Sequence, residues 1–501
     1  MGGARRKLVK GASWVAAARL LINVIGFAST IILARLLVPD DFGIVAIAEA
    51  IAIVVASVTE LSLANALIQH RRPTRDHYDS AFTLNAVRSV LLALVIAALA
   101  LPASGIYGDE RLAPVLGLIA FATVIGGFEN PKLVVFRRQL IFWQDFLLTF
   151  GAKLAGFLVA VTIAIAFRSY WALVLGSFAA QLVRVGLSYA VIPYRPRACL
   201  NRWRELFSFS GWLTLSKAVR TLNLRSDPIA LGFFVGSAGL GQYALGSRLA
   251  YLPVFEALSP LRQILFPAFS RMNEQPERLK SAYLRAQHFL LAFGIPIAIG
   301  FAVVAEPSVI LLIGEKWRPI VPIVEALALA SVLGLMESSE PLAMALNRTR
   351  DIAGRDVRVA LIRLPLLAIG LVVGTMTPIG PIMGVVYARC AAVAINLQLN
   401  ARLVQRLTGL SLTHQFAPAL RPLIAAAVMA GAVSLLMAGW SPVGGSLEDY
   451  IALGVGVLCG AIAYLVVAAL LWIASGRPDG AEQEIIDLAR PTLHRLTAHL
   501  R

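Results

Sequence analysis

An all-α polytopic membrane protein is the fold class this sequence predicts, and three observations predict it. Hydrophobic residues make up 58% of the 501 residues, and mean hydropathy is +0.76, beyond what a water-facing surface tolerates. Apolar segments of the ~20 residues needed to cross a hydrocarbon core of about 30 Å recur along the whole chain. The cations that separate them fall on alternate sides.

Fourteen helices are expected at 12–35, 41–66, 80–102, 112–131, 145–167, 170–192, 210–235, 239–266, 283–313, 319–340, 357–376, 379–403, 417–439 and 450–474. The pair at 210–235 and 239–266 is the least apolar, yet without both the charge alternation falls out of step. Before the first span stand Arg5, Arg6, Lys7 and Lys10. After the second come Arg71, Arg72 and Arg75; after the fourth, Lys132, Arg137 and Arg138; after the sixth, Arg195, Arg197, Arg202 and Arg204. The same side then collects Arg271, Arg278 and Lys280, next Arg348, Arg350, Arg355 and Arg358, and last Arg402, Arg406 and Arg421. Opposite turns hold little: Arg111 beside Asp109 and Glu110, Arg168, Lys316 and Arg318 beside Glu315, and Glu448 with Asp449. Lys and Arg are retained inside, so both termini and every basic turn are expected in the cytoplasm. Topology and anionic headgroups then account for most of the +17 charge, and nucleic acid is not needed to explain it.

The first span is too long for a signal-peptide core and lacks a small-residue cleavage site after it, so it is expected to be retained. Cys199, Cys390 and Cys459 suit neither a disulfide framework nor a metal site. No G-x-x-x-x-G-K-[ST] loop is present, so the chain has no ATP-binding domain of that type, and no cofactor or metal is expected. The six histidines sit mostly in cytoplasmic turns or the tail, with His288 at the start of the ninth span. Short outer loops argue against an enzyme, because a sugar polymerase or ligase needs a sizeable outer loop to hold its acceptor. In the tail, 476–501, Ile485, Leu488, Ala489, Leu493, Leu496 and Leu500 recur at helical spacing among charges, the pattern of an interfacial amphipathic helix.

The two halves repeat at an offset of 198 residues. Trp14 pairs with Trp212, Arg19 with Lys217, Phe42 and Gly43 with Leu240 and Gly241, Ala46 with Ala244, and Leu67 with Leu265. After a three-residue insertion, Ser80-Ala81-Phe82 pairs with Ser281-Ala282-Tyr283. Further on, Asn130-Pro131 matches Glu340-Pro341, and Asp145 matches Asp356. Six spans separate the copies, so both enter the membrane from the same side. The expected layout is an N-lobe (1–200, helices 1–6), a C-lobe (201–410, helices 7–12), two appended helices (411–475) and the tail (476–501). In carriers built from parallel repeats, the pathway runs between the halves and alternating access rocks one against the other.

A charge at the centre of a membrane helix costs ~2.5–3.5 kcal/mol, so each one needs a reason. The seventh span carries Lys217, Arg220, Asn223, Arg225 and Asp227, followed by Pro228. Lys217, Arg220, Asn223 and Asp227 fall within an arc of about 120°, one polar stripe that cannot face lipid. Pro228 is expected to bend or break the helix there. Other deep cations are Arg19, Arg88, Lys153, Arg184, Arg248, Arg363 and Arg389; the deep acids are Glu49, Asp227, Glu325 and Glu337. Arg88, Arg184 and Arg363 lie near enough to a cytoplasmic end to snorkel, whereas Arg220 and Arg225 lie too deep. A cationic cavity lined by Arg19, Lys217, Arg220, Arg225, Arg248, Arg88, Lys153 and Arg363 calls for a phosphate-bearing anion. Asp227 reads first as a counter-ion to Arg220 or Arg225, and second as a protonatable coupling site. Glu49, Glu325 and Glu337 are less crowded and better placed for ion coupling.

Three stretches carry a resemblance: Leu33–Gly43 (LARLLVPDDFG), Ser226–Gly232 (SDPIALG) running on through Gly239–Leu249 (GLGQYALGSRL), and Phe266–Arg271 (FPAFSR) with Gly314–Pro319 (GEKWRP). Together they resemble the bacterial polysaccharide-repeat flippases, the Wzx/WzxC-like branch of the multidrug/oligosaccharidyl-lipid/polysaccharide exporter superfamily, over residues 10–410. Pro228 departs from the residue many of these proteins carry after the Asp. The resemblance implies a two-lobe carrier in the bacterial inner membrane. It would move an undecaprenyl-pyrophosphate-linked oligosaccharide between leaflets for lipopolysaccharide or exopolysaccharide synthesis, with a cationic cavity for the pyrophosphate. Membrane lipids, a polysaccharide polymerase and a chain-length regulator are the implied partners. A lipid-linked peptidoglycan-precursor flippase is the nearest alternative. A multidrug antiporter follows, and the cation excess speaks against it. A membrane-bound sugar ligase or polymerase comes last. Neighbouring glycosyltransferase genes would favour the first reading, and efflux regulators the antiporter.

Overall fold

The computed structural model describes residues 21–59, 63, 67–68, 73–138, 143–207, 211–336, 339–440, 446–476 and 483. Among these the chain is almost entirely helical and contains no strand. Ten helices are long and apolar enough to cross a membrane, and two shorter apolar helices, Leu21–Leu36 and Leu112–Gly127, lie among them. The chain is therefore a multi-pass membrane protein. Helices are the physical solution here, because backbone N–H and C=O groups in hydrocarbon must be satisfied within the segment itself. The basic amino end and the 476–501 tail fall outside the described residues, apart from residues 476 and 483.

Two compact units divide the chain, Met1–Ala244 and Leu245–Arg501. In the first, the helices Trp143–Phe167 and Trp171–Val191 form a hairpin. With lipid tails as apolar as leucine, such helices adhere by close backbone approach at small residues. Gly156 and Ala160 face Gly176 and Ala180, and a Cβ at Gly156 would lie 2.9 Å from both the Ala180 Cβ and the Gly176 carbonyl oxygen. The second unit repeats the device between Thr349–Met376 and Pro381–Thr408, where Gly370 and Gly374 meet Gly384, Ala388 and Pro381. These hairpins stand where the sequence repeat matches Asp145 with Asp356, at an offset of 211 residues.

The second unit has a continuous core in which Leu290, Leu291 and Ile295 of Pro276–Val303 pack with Ala425, Ala426 and Met429 of Leu412–Met437 and with Tyr464. At one end of this unit, buried Arg355 donates to Ser339 Oγ (2.9 Å) and Asn400 Oδ1 (2.7 Å) and pairs with Asp356 (2.6 Å). The helix Leu447–Ala474 contributes little to the core and leaves Leu458, Leu465 and Leu470 exposed, the apolar surface a lipid-facing helix presents.

The helix break expected at Pro228 falls elsewhere. Residues Gly211–Ser270 run as helix except at Gly236, whose φ of 68° and ψ of −175° reverse the chain. Helical geometry continues through Asp227 and Pro228. One proline inside a membrane helix removes a single donor, and neighbouring groups absorb that loss. The left-handed, extended conformation at Gly236 is one that only glycine adopts without strain.

Candidate functional site

Gly236 turns residues 237–244 back toward the 211–235 arm, and this creates the first part of the site. Asp227 is fully buried. Its carboxylate accepts from Tyr243 Oη at 2.8 Å and from Ser226 Oγ at 3.4 Å. Tyr243 lies 16 residues further on, so only the reversal brings the two together. Sequence reading missed this partner, although Tyr243 stands inside one of the conspicuous motifs. Arg220 is exposed, Arg225 half-buried and Asn223 buried. The stripe thus passes from an exposed cation to a carboxylate sealed in protein. Gly232 seats this arm on Ile47 and Tyr107, each 3.0 Å from where its Cβ would be.

Arg19 and Glu337 lie outside the described residues, as does the side chain of Lys217. Arg88 is half-buried and donates to the Thr59 carbonyl at 2.6 Å and the Ala56 carbonyl at 2.9 Å. It therefore caps the C-terminus of the helix Pro39–Val58, where a cation meets unpaired carbonyls and the negative end of the dipole. Lys153 is exposed, and its Nζ would lie 3.1 Å from a Cβ at Gly26. Glu49 is exposed on Pro39–Val58. In the second unit Arg248 and Glu325 are exposed, whereas Arg363 is buried. Arg389 stacks over the Tyr251 ring at 4.9 Å. Arg184 pairs with Glu129 at 3.0 Å.

A second part of the site was not anticipated. At the head of Pro39–Val58, Asp40 pairs with Arg111 at 2.6 Å and accepts from Ser237 Oγ. Arg111 also forks onto Asp109 at 2.9 and 2.7 Å and lies 5.8 Å above the Tyr170 ring. Beneath this cluster the backbones touch. Gly43 abuts the Ser237 carbonyl and Gly241 abuts the Pro39 carbonyl, both closer than any Cβ allows. The offset of 198 residues turns Pro39 into position 237 and Gly43 into Gly241. The contact is therefore reciprocal, the arrangement a two-fold axis produces. The signal for it was present in the sequence as the Gly43/Gly241 pair, but a repeat alone does not say that its two copies touch.

Residues 32–322 match the family described as polysaccharide biosynthesis protein, which is more than half of the chain. The chain belongs to this family. It is 23% identical to the lipopolysaccharide biosynthesis protein WzxC of Escherichia coli over 351 residues, 67% of this chain and 68% of that one. It is 27% identical to the succinoglycan biosynthesis transport protein ExoT of Rhizobium meliloti over 308 residues, 61% and 62% of the two chains. Among solved structures, the lipid II flippase MurJ in an inward closed conformation matches with a TM-score of 0.73 at 14% identity, covering 92% of this chain and 99% of that one. At that identity the likeness establishes the fold.

Proposed function

We propose that the chain is a flippase for an undecaprenyl-pyrophosphate-linked oligosaccharide, working by alternating access in the bacterial inner membrane with both termini inside. The observation that carries this reading is the set of charges deep in the helices whose side chains stay exposed on the surface of the first unit, Glu49, Lys153 and Arg220. Hydrocarbon cannot accept them cheaply, so they face water or a polar ligand. Arg220 and Arg225, joined by Arg19, Lys217, Lys153 and Arg88, supply the cationic surface that a pyrophosphate requires, and Arg248 and Arg363 supply cations in the second half. Buried Asp227, held by Tyr243 and Ser226, serves to lock the 211–235 arm. Coupling to an ion then falls to Glu49, Glu325 or Glu337.

Fourteen crossings fit the described helices. The ten long ones are joined by Leu21–Leu36, Leu112–Gly127 and Pro39–Val58, and Gly236 divides one long helix into two. With the basic turns inside, the glycine clasp and the Asp40–Arg111 pair lie at the outer end and form the outer seal of an inward-open or occluded state. The names of the relatives agree with this role: WzxC and ExoT belong to polysaccharide synthesis, and ExoT is a transport protein. A peptidoglycan-precursor carrier shares the fold, but the sequence family is that of polysaccharide biosynthesis. The reading makes the chain a carrier rather than an enzyme, acting between the glycosyltransferases that build the repeat and a polymerase and chain-length regulator. Deleting the gene should leave lipid-linked repeats on the cytoplasmic face and abolish the surface polymer. Unchanged polymer, in a strain without a second such gene, would refute the reading.

A further inference from the structure

A hollow of about 520 Å³ lies in the first unit, lined by Arg75, Tyr78, Lys132, Pro193, Tyr194 and Arg195 and by no residue of the polar stripe. Its three cations come from three separate segments: the first residue of Arg75–Tyr107, the turn after Leu112–Gly127, and the extended strand of chain after Trp171–Val191. Each is carried by backbone that buried polar groups hold in place. Asn130, 1% exposed, donates to the Ser188 and Ile192 carbonyls at 3.1 and 2.8 Å and accepts from the Lys132 N–H at 3.0 Å. Asp79, Ser80 and Thr83 on the Arg75–Tyr107 helix accept from the backbone N–H groups of Arg197, Arg202 and Cys199, respectively. Tyr194 donates to Asp79 and carries Lys132 over its ring at 5.1 Å.

The charges do not cancel. The nearby acid, Asp79, is 3% exposed and already engaged by Tyr194, the Arg197 N–H and Arg75 at 3.5 Å. Arg195 is exposed and its side chain has no partner among the described residues. A basic turn placed only for topology needs its charge on the right side of the membrane, with no fixed geometry. Here the backbone is pinned so that two guanidinium groups and an ammonium converge beside two tyrosines, at the ends of membrane helices, where headgroups lie.

We infer that this hollow is a binding site for a phosphate-bearing headgroup at the cytoplasmic leaflet, outside the transport path. Arg195 offers a planar fork to phosphate oxygens, Lys132 a point charge, and Arg75, which is held by Asp79 and the Arg195 carbonyl, its remaining N–H groups. The headgroup comes either from an anionic phospholipid of the bilayer or from the pyrophosphate of a lipid-linked substrate waiting to enter. Binding of a phospholipid headgroup here does not depend on the flippase reading, whereas the leaflet and the pyrophosphate alternative rest on it. Loss of headgroup binding would leave the gene-deletion result untouched, and an unchanged surface polymer would leave headgroup binding untouched.

The test uses the full chain in detergent, titrated with phosphatidylglycerol, phosphatidylcholine and inorganic pyrophosphate. Wild type is expected to bind phosphatidylglycerol well above phosphatidylcholine, and K132Q/R195Q to lose at least about tenfold in that affinity, the loss of two charge-assisted contacts. Neither substitution removes a hydrogen bond that holds the fold, so thermal unfolding should stay near wild type. Displacement of the lipid by inorganic pyrophosphate would assign the site to the substrate's phosphates. Binding of phosphatidylglycerol without such displacement would assign it to membrane lipid. Equal binding by K132Q/R195Q and wild type would overturn the proposal, as would an equal loss in R278Q/K280Q, whose cations lie in another basic turn.

Discussion

Replacing Gly43 or Gly241 by valine is expected to abolish transport while the protein still inserts and accumulates. At both positions an added Cβ would meet a backbone carbonyl rather than a side chain that can swing away. Overpacking of this kind costs about 1–3 kcal/mol in a core, and it would act only on the state in which the two turns touch. An equilibrium shift of that size moves the open population about 5–150-fold. Alanine should give the same effect in weaker form, since Gly43 has ordinary helical geometry and loses nothing but the close approach. Gly117, which has open space where its Cβ would be, is the control: Gly117→Ala should transport normally. Thiol labelling of Asn223→Cys from outside is expected to rise in the Gly43 and Gly241 variants and to stay low in the control. Because the contact is reciprocal, the two variants should match, and the double variant should be little worse than either. Normal transport by Gly43→Val would show that the clasp does not have to close.

The second large effect is expected at Arg220 and Arg225. A hydrogen bond to a charged group is worth about 1.5–3 kcal/mol, so R220A or R225A should each lower transport about tenfold or more without loss of the protein from the membrane. Lysine at either position should restore part of the activity, because it keeps the charge and loses the fork. Amounts of surface polymer against amounts of membrane-inserted protein give the comparison. Full activity in both alanine variants would remove these residues from the substrate path.

Much of this fold was legible because hydropathy is a local property. The helices Arg75–Tyr107, Trp143–Phe167, Trp171–Val191, Thr349–Met376 and Leu447–Ala474 fall where apolar runs between basic turns placed them. The 210–235 and 239–266 segments were weaker, and their boundary shows what local reading misses. Pro228 looked like the breaker, but a proline removes one donor and the helix continues. The reversal belongs to Gly236, and the repeat already pointed there, since Gly236 is the counterpart of Val38, which stands in the gap between Leu21–Leu36 and Pro39–Val58.

The site was legible in its charge and not in its contacts. Composition and helical spacing marked the Lys217–Asp227 stripe as something that lipid cannot face. They could not supply Tyr243 as the partner of Asp227, which needs the chain reversal. Nor could they separate Arg88, half-buried and closing the end of a neighbouring helix, from solvent-exposed cations such as Lys153 and Arg220. The cluster of Asp40, Arg111 and Ser237 escaped notice for a related reason. Its members are unremarkable in hydropathy and far apart in sequence, and they acquire meaning only through a contact between copies of the repeat.

The central claim is that this chain moves a lipid-linked, pyrophosphate-bearing oligosaccharide between leaflets, and reconstitution tests it most directly. The purified chain in vesicles, supplied with a fluorescent lipid-pyrophosphoryl oligosaccharide in both leaflets, should render all of the label accessible to a membrane-impermeant quencher. Vesicles with R220A/R225A should protect the inner-leaflet fraction. A protected fraction in the wild-type vesicles equal to that of protein-free vesicles, with the chain folded and inserted and across imposed proton and sodium gradients, would contradict the claim.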